Sequence, residues 1–128
     1  MKGTGVRMIT GIGVDLIEIN RVVKACQKES FLRRYYTLRE LELIRPDLKK
    51  AADNFAVKEA VAKMLGTGFH GFSPIDIEVL RNPEGKPYVE LYGVAAELAK
   101  QQGTASIHVS ITNTKDYANA FVVGEAVA

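Results

Sequence analysis

The sequence predicts one α+β domain with a mainly antiparallel sheet, in the order β-α-α-α-β-β-α-β-β. Three observations predict it. The 128 residues suffice for one domain with its own core. Apolar residues make up 47% and charged residues 25%, a globular balance that argues against disorder. The patterning is grouped: helical periods dominate residues 16–65, and alternating segments come in pairs after them. Strictly alternating strands and helices would instead read as α/β.

The elements follow in order. Met8–Asp15 (MITGIGVD) reads as a strand behind a polar leader. Residues 1–7 are an N-terminal extension in this reading, and the domain spans 8–126. Leu16–Lys28 turns helical, with Leu16, Ile19, Val22, Val23 and Cys26 on one arc for the core. Arg21, Lys24 and Lys28 share another arc, with Ile17 among them. Thr37-Leu38-Arg39-Glu40 is a capping box, and the short helix it opens ends before Pro46. A third helix runs from about Asp47 to Leu65 and stops at Gly66-Thr67-Gly68. Ile75–Val79 alternates, Asn82-Pro83-Glu84-Gly85 turns, and Lys86–Tyr92 returns as the second strand of a hairpin. Val94–Gln102 is a helix ended by Gly103. Ser106–Thr112 alternates, with Ile107, Val109 and Ile111 on one face and His108, Ser110 and Thr112 on the other. After Thr114-Lys115-Asp116, Tyr117–Val123 closes a second hairpin.

Several function classes are excluded. No apolar run approaches the ~18 residues of a membrane span. No signal-peptide pattern opens the chain. The single cysteine, Cys26, permits neither an internal disulfide framework nor a cysteine zinc site, so the expected compartment is the reducing cytoplasm. Net charge is 17 − 15 = +2, too weak an excess for a nucleic-acid binder. There is no P-loop spacing and no Gly-x-Ser-x-Gly elbow. His70, His108, Tyr35, Tyr36 and Tyr88 read as structural.

The third helix carries the most informative chemistry. Val57, Ala60, Val61, Met64 and Leu65 form its core arc; Glu59 and Lys63 lie about one turn apart on the other side. Two readings stand. Glu59 and Lys63 are an exposed ion pair worth about 0.2–0.5 kcal/mol, or they serve phosphate chemistry, the carboxylate on a divalent cation and the ammonium on phosphate. Asp15, at a strand end, is either an N-cap or a second oxygen ligand for that cation. The Arg21, Lys24 and Lys28 stripe is either a solvated face or a docking surface for an acidic partner, with Ile17 as an apolar anchor.

Three segments in order resemble the acyl carrier protein synthase family, the short type of 4′-phosphopantetheinyl transferase. They are Gly11-Ile12-Gly13-Val14-Asp15; Phe55-Ala56-Val57-Lys58-Glu59-Ala60 with Lys63 and Gly66-Thr67-Gly68; and Val109-Ser110-Ile111-Thr112-Asn113-Thr114-Lys115-Asp116-Tyr117-Ala118. The turn Asn82-Pro83-Glu84-Gly85-Lys86-Pro87 matches as well. The resemblance covers Met8 to Val123.

It implies an enzyme that moves 4′-phosphopantetheine from coenzyme A to a serine of apo-acyl carrier protein. The co-product is adenosine 3′,5′-bisphosphate. The resemblance implies Mg²⁺ held by Asp15 and Glu59, with Glu59 and Lys63 catalytic. Phe55, Lys63, Gly66, Lys86, Pro87, Asn113 and Thr114 correspond to coenzyme A contacts. Ile17, Arg21, Lys24 and Lys28 fall on the carrier-docking helix. Family members are typically homotrimers with active sites between subunits, so a trimer-forming domain is expected. Two residues depart from the family: Asn113 stands where it usually has His, and Asn54 where it often has Arg. Both changes predict weaker coenzyme A contacts. They are also the only features that favour a non-catalytic carrier- or coenzyme-A-binding homologue.

Overall fold

A computed structural model of the chain describes residues 7–127. The leader Met1–Val6 lies outside the described residues, and Arg7 already belongs to the first strand. The elements are β1 (Arg7–Glu18), α1 (Ile19–Ala25), α2 (Glu29–Tyr35), α3 (Leu38–Ile44) and α4 (Leu48–Leu65). A single 3-10 turn at Pro74–Asp76 leads to β2 (Ile77–Arg81), β3 (Pro87–Leu91), α5 (Gly93–Gln101), β4 (Ser106–Asn113) and β5 (Tyr117–Val127).

The predicted class holds: β1, β5 and β4 form an antiparallel sheet in that spatial order, and β2 and β3 form a separate hairpin. Two details differ from the sequence reading. Leu16–Glu18 remains strand, paired through Glu18 with Tyr117 on β5, so Leu16 is exposed rather than core. The alternation that opens at Ile12 simply continues. The predicted helix also ends at Ala25, and a further helix, α2, follows, giving four helices before the first hairpin instead of three. The period of α2 was present in Phe31, Leu32, Tyr35 and Tyr36. Leu32 and Tyr36 are buried, and Phe31 and Tyr35 stack with ring centroids 4.5 Å apart.

Helix α4 organises the core. It lies against the inner face of the three-stranded sheet and also packs on α1, α3 and β2. Surrounded in this way, it buries Ala51, Ala52, Ala56, Val57, Ala60, Val61, Ala62, Met64 and Leu65. Its small residues let neighbours approach closely, and β1 uses this fully. A Cβ at Gly13 would lie 1.8 Å from the Ala60 carbonyl oxygen, and one at Gly11 would lie 2.5 Å from that of Met64. The Gly11-Ile12-Gly13 motif is therefore the crossing point of strand on helix. Gly13→Ala should destabilise the fold by about 3 kcal/mol or more, the upper range for overpacking, because the obstructing atom is backbone and no rotamer relieves it. A urea titration checks this; an unchanged midpoint would mean that β1 can lift from α4 freely.

Among the described residues nothing covers the opposite face of the sheet. Ile12, Val14 and Leu16 on β1 are 60%, 51% and 63% exposed, and Phe121 on β5, opposite Val14, is 42% exposed. The predicted faces of β4 also hold: Ile107, Val109 and Ile111 pack on the core, while His108, Ser110 and Thr112 are exposed. Among the described residues no helix is long and apolar enough to cross a membrane.

Candidate active site

Strand alternation turns Asp15 toward α4, in register with Ala120 on β5. The helical period brings Glu59 and Lys63 to the same place from the other side. Lys63 Nζ donates to Asp15 Oδ1 at 3.0 Å and to the Val14 carbonyl at 3.0 Å. The lysine thus bridges to the strand and does not form the simple pair with Glu59 one turn before it. Glu59 is half-buried and, among the described residues, its carboxylate has no hydrogen-bond or ion-pair partner. Its pKa is raised above the usual carboxylate range, first by burial and then by the Asp15 charge, with Lys63 pulling the other way.

Two carboxylates from separate elements, one unpartnered and each repelling the other, suit a hard divalent cation. Mg²⁺ takes one or two carboxylates and completes its shell with water and substrate phosphate. The described residues offer no set of three or more His, Cys, Asp or Glu, so Asp15 and Glu59 are the donors available here. Gly66 caps α4 with φ +85°, in the left-handed region where a side chain would be strained.

Phe55, Glu59 and Lys63 recur every four residues on one side of α4. The carboxylate site therefore adjoins an apolar pocket of about 180 Å³ lined by Ile17, Val22, Ala25, Phe31 and Phe55, with Glu18 and Arg21. Phe55 is fixed by stacking on Tyr35, centroids 5.6 Å apart. The docking set is corrected here. Ile17 sits on β1, not on the helix, and helps form this pocket. Arg21 and Lys24 are exposed on α1, but Lys28 lies past its end as the N-cap of α2. The basic surface spans a helix and the junction after it.

A second region gathers the remaining predicted contacts. Asn113 and Pro87 line a cleft of about 350 Å³ together with Asp53, Arg81, Gly85 and Ser110. Asn113 Nδ2 donates to both Asp53 oxygens, at 2.9 and 3.0 Å. An adjoining cleft shares Pro87 and adds Lys86, Asn82, Tyr88 and His108. Thr114 Oγ1 is occupied in the hairpin turn, accepting from the Asp116 and Tyr117 amides at 3.3 and 3.1 Å.

Asn54 does not face a ligand at all. It is fully buried, its Nδ2 donating to Glu40 Oε2 at 3.0 Å and the Val79 carbonyl at 2.9 Å, while its Oδ1 finds no partner among the described residues. The expectation that Asn54 costs a phosphate contact is thus set aside: the residue belongs to the core. Sequence reasoning missed Asp53 and Arg81. The one signal for Arg81 was its place immediately before the Asn82 turn.

The two regions lie apart within one chain. Asp53 and Lys63 are separated by ten residues of α4, a rise of about 15 Å.

With this geometry in view, the comparisons with known proteins agree. A curated holo-acyl-carrier-protein synthase of Lachnoclostridium phytofermentans is 59% identical over 120 residues, covering 94% of this chain and 98% of its own length. Among solved structures, the acyl carrier protein synthase of Plasmodium yoelii with ADP bound is similar at TM-score 0.84. It is 32% identical, with 95% of this chain and 98% of that one covered. The holo-acyl-carrier-protein synthase of Bacillus anthracis in complex with CoA (3′,5′-ADP) gives TM-score 0.77 at 34% identity, covering 93% and 98%. The superfamily pattern itself matches residues 11–122, from the glycines that let β1 cross α4, through the Glu59 and Lys63 helix, to the last core residue of β5, and on this ground the chain belongs to the 4′-phosphopantetheinyl transferase superfamily.

Proposed function

We propose that this protein transfers 4′-phosphopantetheine from coenzyme A to a serine hydroxyl of an apo-acyl carrier protein, releasing adenosine 3′,5′-bisphosphate. The observation that carries this reading is the Asp15, Glu59 and Lys63 cluster at the rim of an apolar pocket. The serine oxygen forms a bond to the phosphorus that bears the pantetheine arm, and the pyrophosphate bond to the nucleotide breaks. Such transfers depend mostly on positioning and charge stabilisation. Asp15 and Glu59 would hold Mg²⁺, which when bound offsets the charge of the pyrophosphate. Lys63 neutralises charge on the departing bisphosphate. The serine proton passes to Glu59 or to a water held by the two carboxylates.

Exposed Arg21, Lys24 and Lys28 give the acidic carrier an electrostatic landing surface, and the Ile17 and Phe55 pocket beside them gives it an apolar anchor. The protein works as a homotrimer in the cytoplasm in this reading. Two features support the assembly: the uncovered apolar face of Ile12, Val14, Leu16 and Phe121, and the separation of the two site regions, which a neighbouring subunit would bridge.

The test is intact-mass spectrometry of apo-carrier incubated with coenzyme A and Mg²⁺, alongside sedimentation of the protein alone. The expected result is one phosphopantetheine added to the carrier, none with EDTA, and a trimer in solution. Bound coenzyme A without any mass shift across several carriers would instead favour the non-catalytic homologue.

A further inference from the structure

We propose that Arg81 holds the 3′-phosphate of the coenzyme A donor and sets the preference for that donor over one lacking this phosphate. The inference rests on the transferase reading above and assigns a specificity residue within it.

Arg81 ends β2 just before the Asn82 turn and is only partly exposed in the cleft that it lines with Asp53, Gly85, Ser110 and Asn113. A guanidinium carries five N–H donors. Among the described residues, the hydrogen bond it makes is from Nη1 to the carbonyl of its own neighbour Leu80, at 3.3 Å. The nearest negative charge in the cleft, Asp53, attracts it but is turned toward Asn113, whose amide engages both carboxylate oxygens. The guanidinium fork is thus held in a cleft with most of its donors unspent, the condition that suits bidentate recognition of a phosphate.

The chemistry of the donor decides which phosphate. Coenzyme A offers a pyrophosphate and a 3′-phosphate monoester. The pyrophosphate belongs with Asp15, Glu59 and Lys63, where the reacting bond must lie. The cleft sits about 15 Å along α4 from Lys63 in the same chain. The anion left for Arg81 is the monoester. Asp53 opposes it by charge, which makes the cleft a tuned site and predicts opposite signs for the two residues.

The test is calorimetric binding of adenosine 3′,5′-bisphosphate and of adenosine 5′-phosphate, with steady-state kinetics on coenzyme A and 3′-dephospho-coenzyme A. Arg81→Ala is expected to weaken the bisphosphate roughly ten- to hundredfold, the range of a lost charged hydrogen bond, and to leave the 5′-phosphate unchanged. The KM for coenzyme A rises in step, with kcat preserved at saturation. Arg81→Lys recovers part of the loss, and Asp53→Asn tightens the bisphosphate only. Equal weakening of both nucleotides by Arg81→Ala, or no weakening, overturns the assignment. Equal KM values for the two donors in the unmodified enzyme overturn it too, while leaving the transferase reading intact. A chain that transfers from neither donor overturns both.

Discussion

Replacing Glu59 with glutamine is expected to lower transfer by about a thousandfold, the scale of several kcal/mol that a charge-stabilising metal site supplies, while making the protein more stable. The two effects come from one cause. Burial and the Asp15 charge raise the Glu59 pKa in the folded state. A carboxyl with a raised folded pKa binds its proton more strongly when folded than when unfolded. Its contribution is fully favourable below the unfolded value of about 4.3 and is lost as pH rises through the higher folded value. At neutral pH the ionised group therefore burdens the fold, and the neutral amide removes that burden with the same shape. Melting temperatures at pH 7 should rise for Glu59→Gln, and the difference should shrink as the pH falls toward the unfolded value. Added Mg²⁺ should raise the melting temperature of the unmodified protein by mass action and leave the variant unmoved. Retained turnover, or equal stabilisation of both proteins by Mg²⁺, would remove Glu59 from the metal site.

The residues alone left Asp15, Glu59 and Lys63 open between structural and chemical roles; the ordered motifs joined them, and the regular elements explain why they meet. The period of α4 places Glu59 and Lys63 on one side, and the strand alternation fixes the face of Asp15. The pairing of Lys63 with Asp15 was not legible, since it depends on β1 crossing α4 at Gly11 and Gly13, which only the tertiary approach reveals. The first helix failed for a related reason. Leu16 fits a helical arc with Ile19 and Val22 as well as a strand alternation with Ile12 and Val14, and the choice was made by pairing with β5, about a hundred positions later. Asp53 and Arg81 escaped notice because their cleft is assembled from α4, the β2 end and β4. No local spacing records that meeting. Asn54 shows the converse error, a departure from a motif read as a lost ligand contact when its environment is wholly internal.

Lys58 looks like one more polar residue of the motif around Glu59, yet its side chain is 1% exposed and lies at the centre of a closed network. Its ammonium donates to Glu40 Oε1 at 2.8 Å, to the Pro74 carbonyl at 2.9 Å and to the Ile77 carbonyl. Glu40 in turn accepts from the Thr37 and Val79 amides and from Asn54. The pair thus ties α3, α4, the 3-10 turn and the start of β2 into one unit. Burial pulls the lysine pKa down and pushes the glutamate up, each opposed by the partner's charge. Lys58→Met leaves a carboxylate buried without its counter-charge and takes the ammonium donor away from the Pro74 and Ile77 carbonyls. The expected loss is about 3–5 kcal/mol, as when one partner of a buried pair is removed. For a domain of this size that lowers the melting temperature by roughly 10–20 °C. Glu40→Gln in the same chain removes the stranded charge while keeping an oxygen for one of the two amides, Thr37 or Val79, that the carboxylate accepts on separate oxygens. The double variant should therefore be more stable than Lys58→Met alone, and a double-mutant cycle should show strong coupling. Simple additivity of the two losses would mean that the ion pair contributes through packing alone. Because the network positions the segment of α4 that carries Glu59, partial loss of transfer in Lys58→Met should be recovered in step with stability in the double variant, whereas loss at Glu59 itself should not be recovered by any gain in stability.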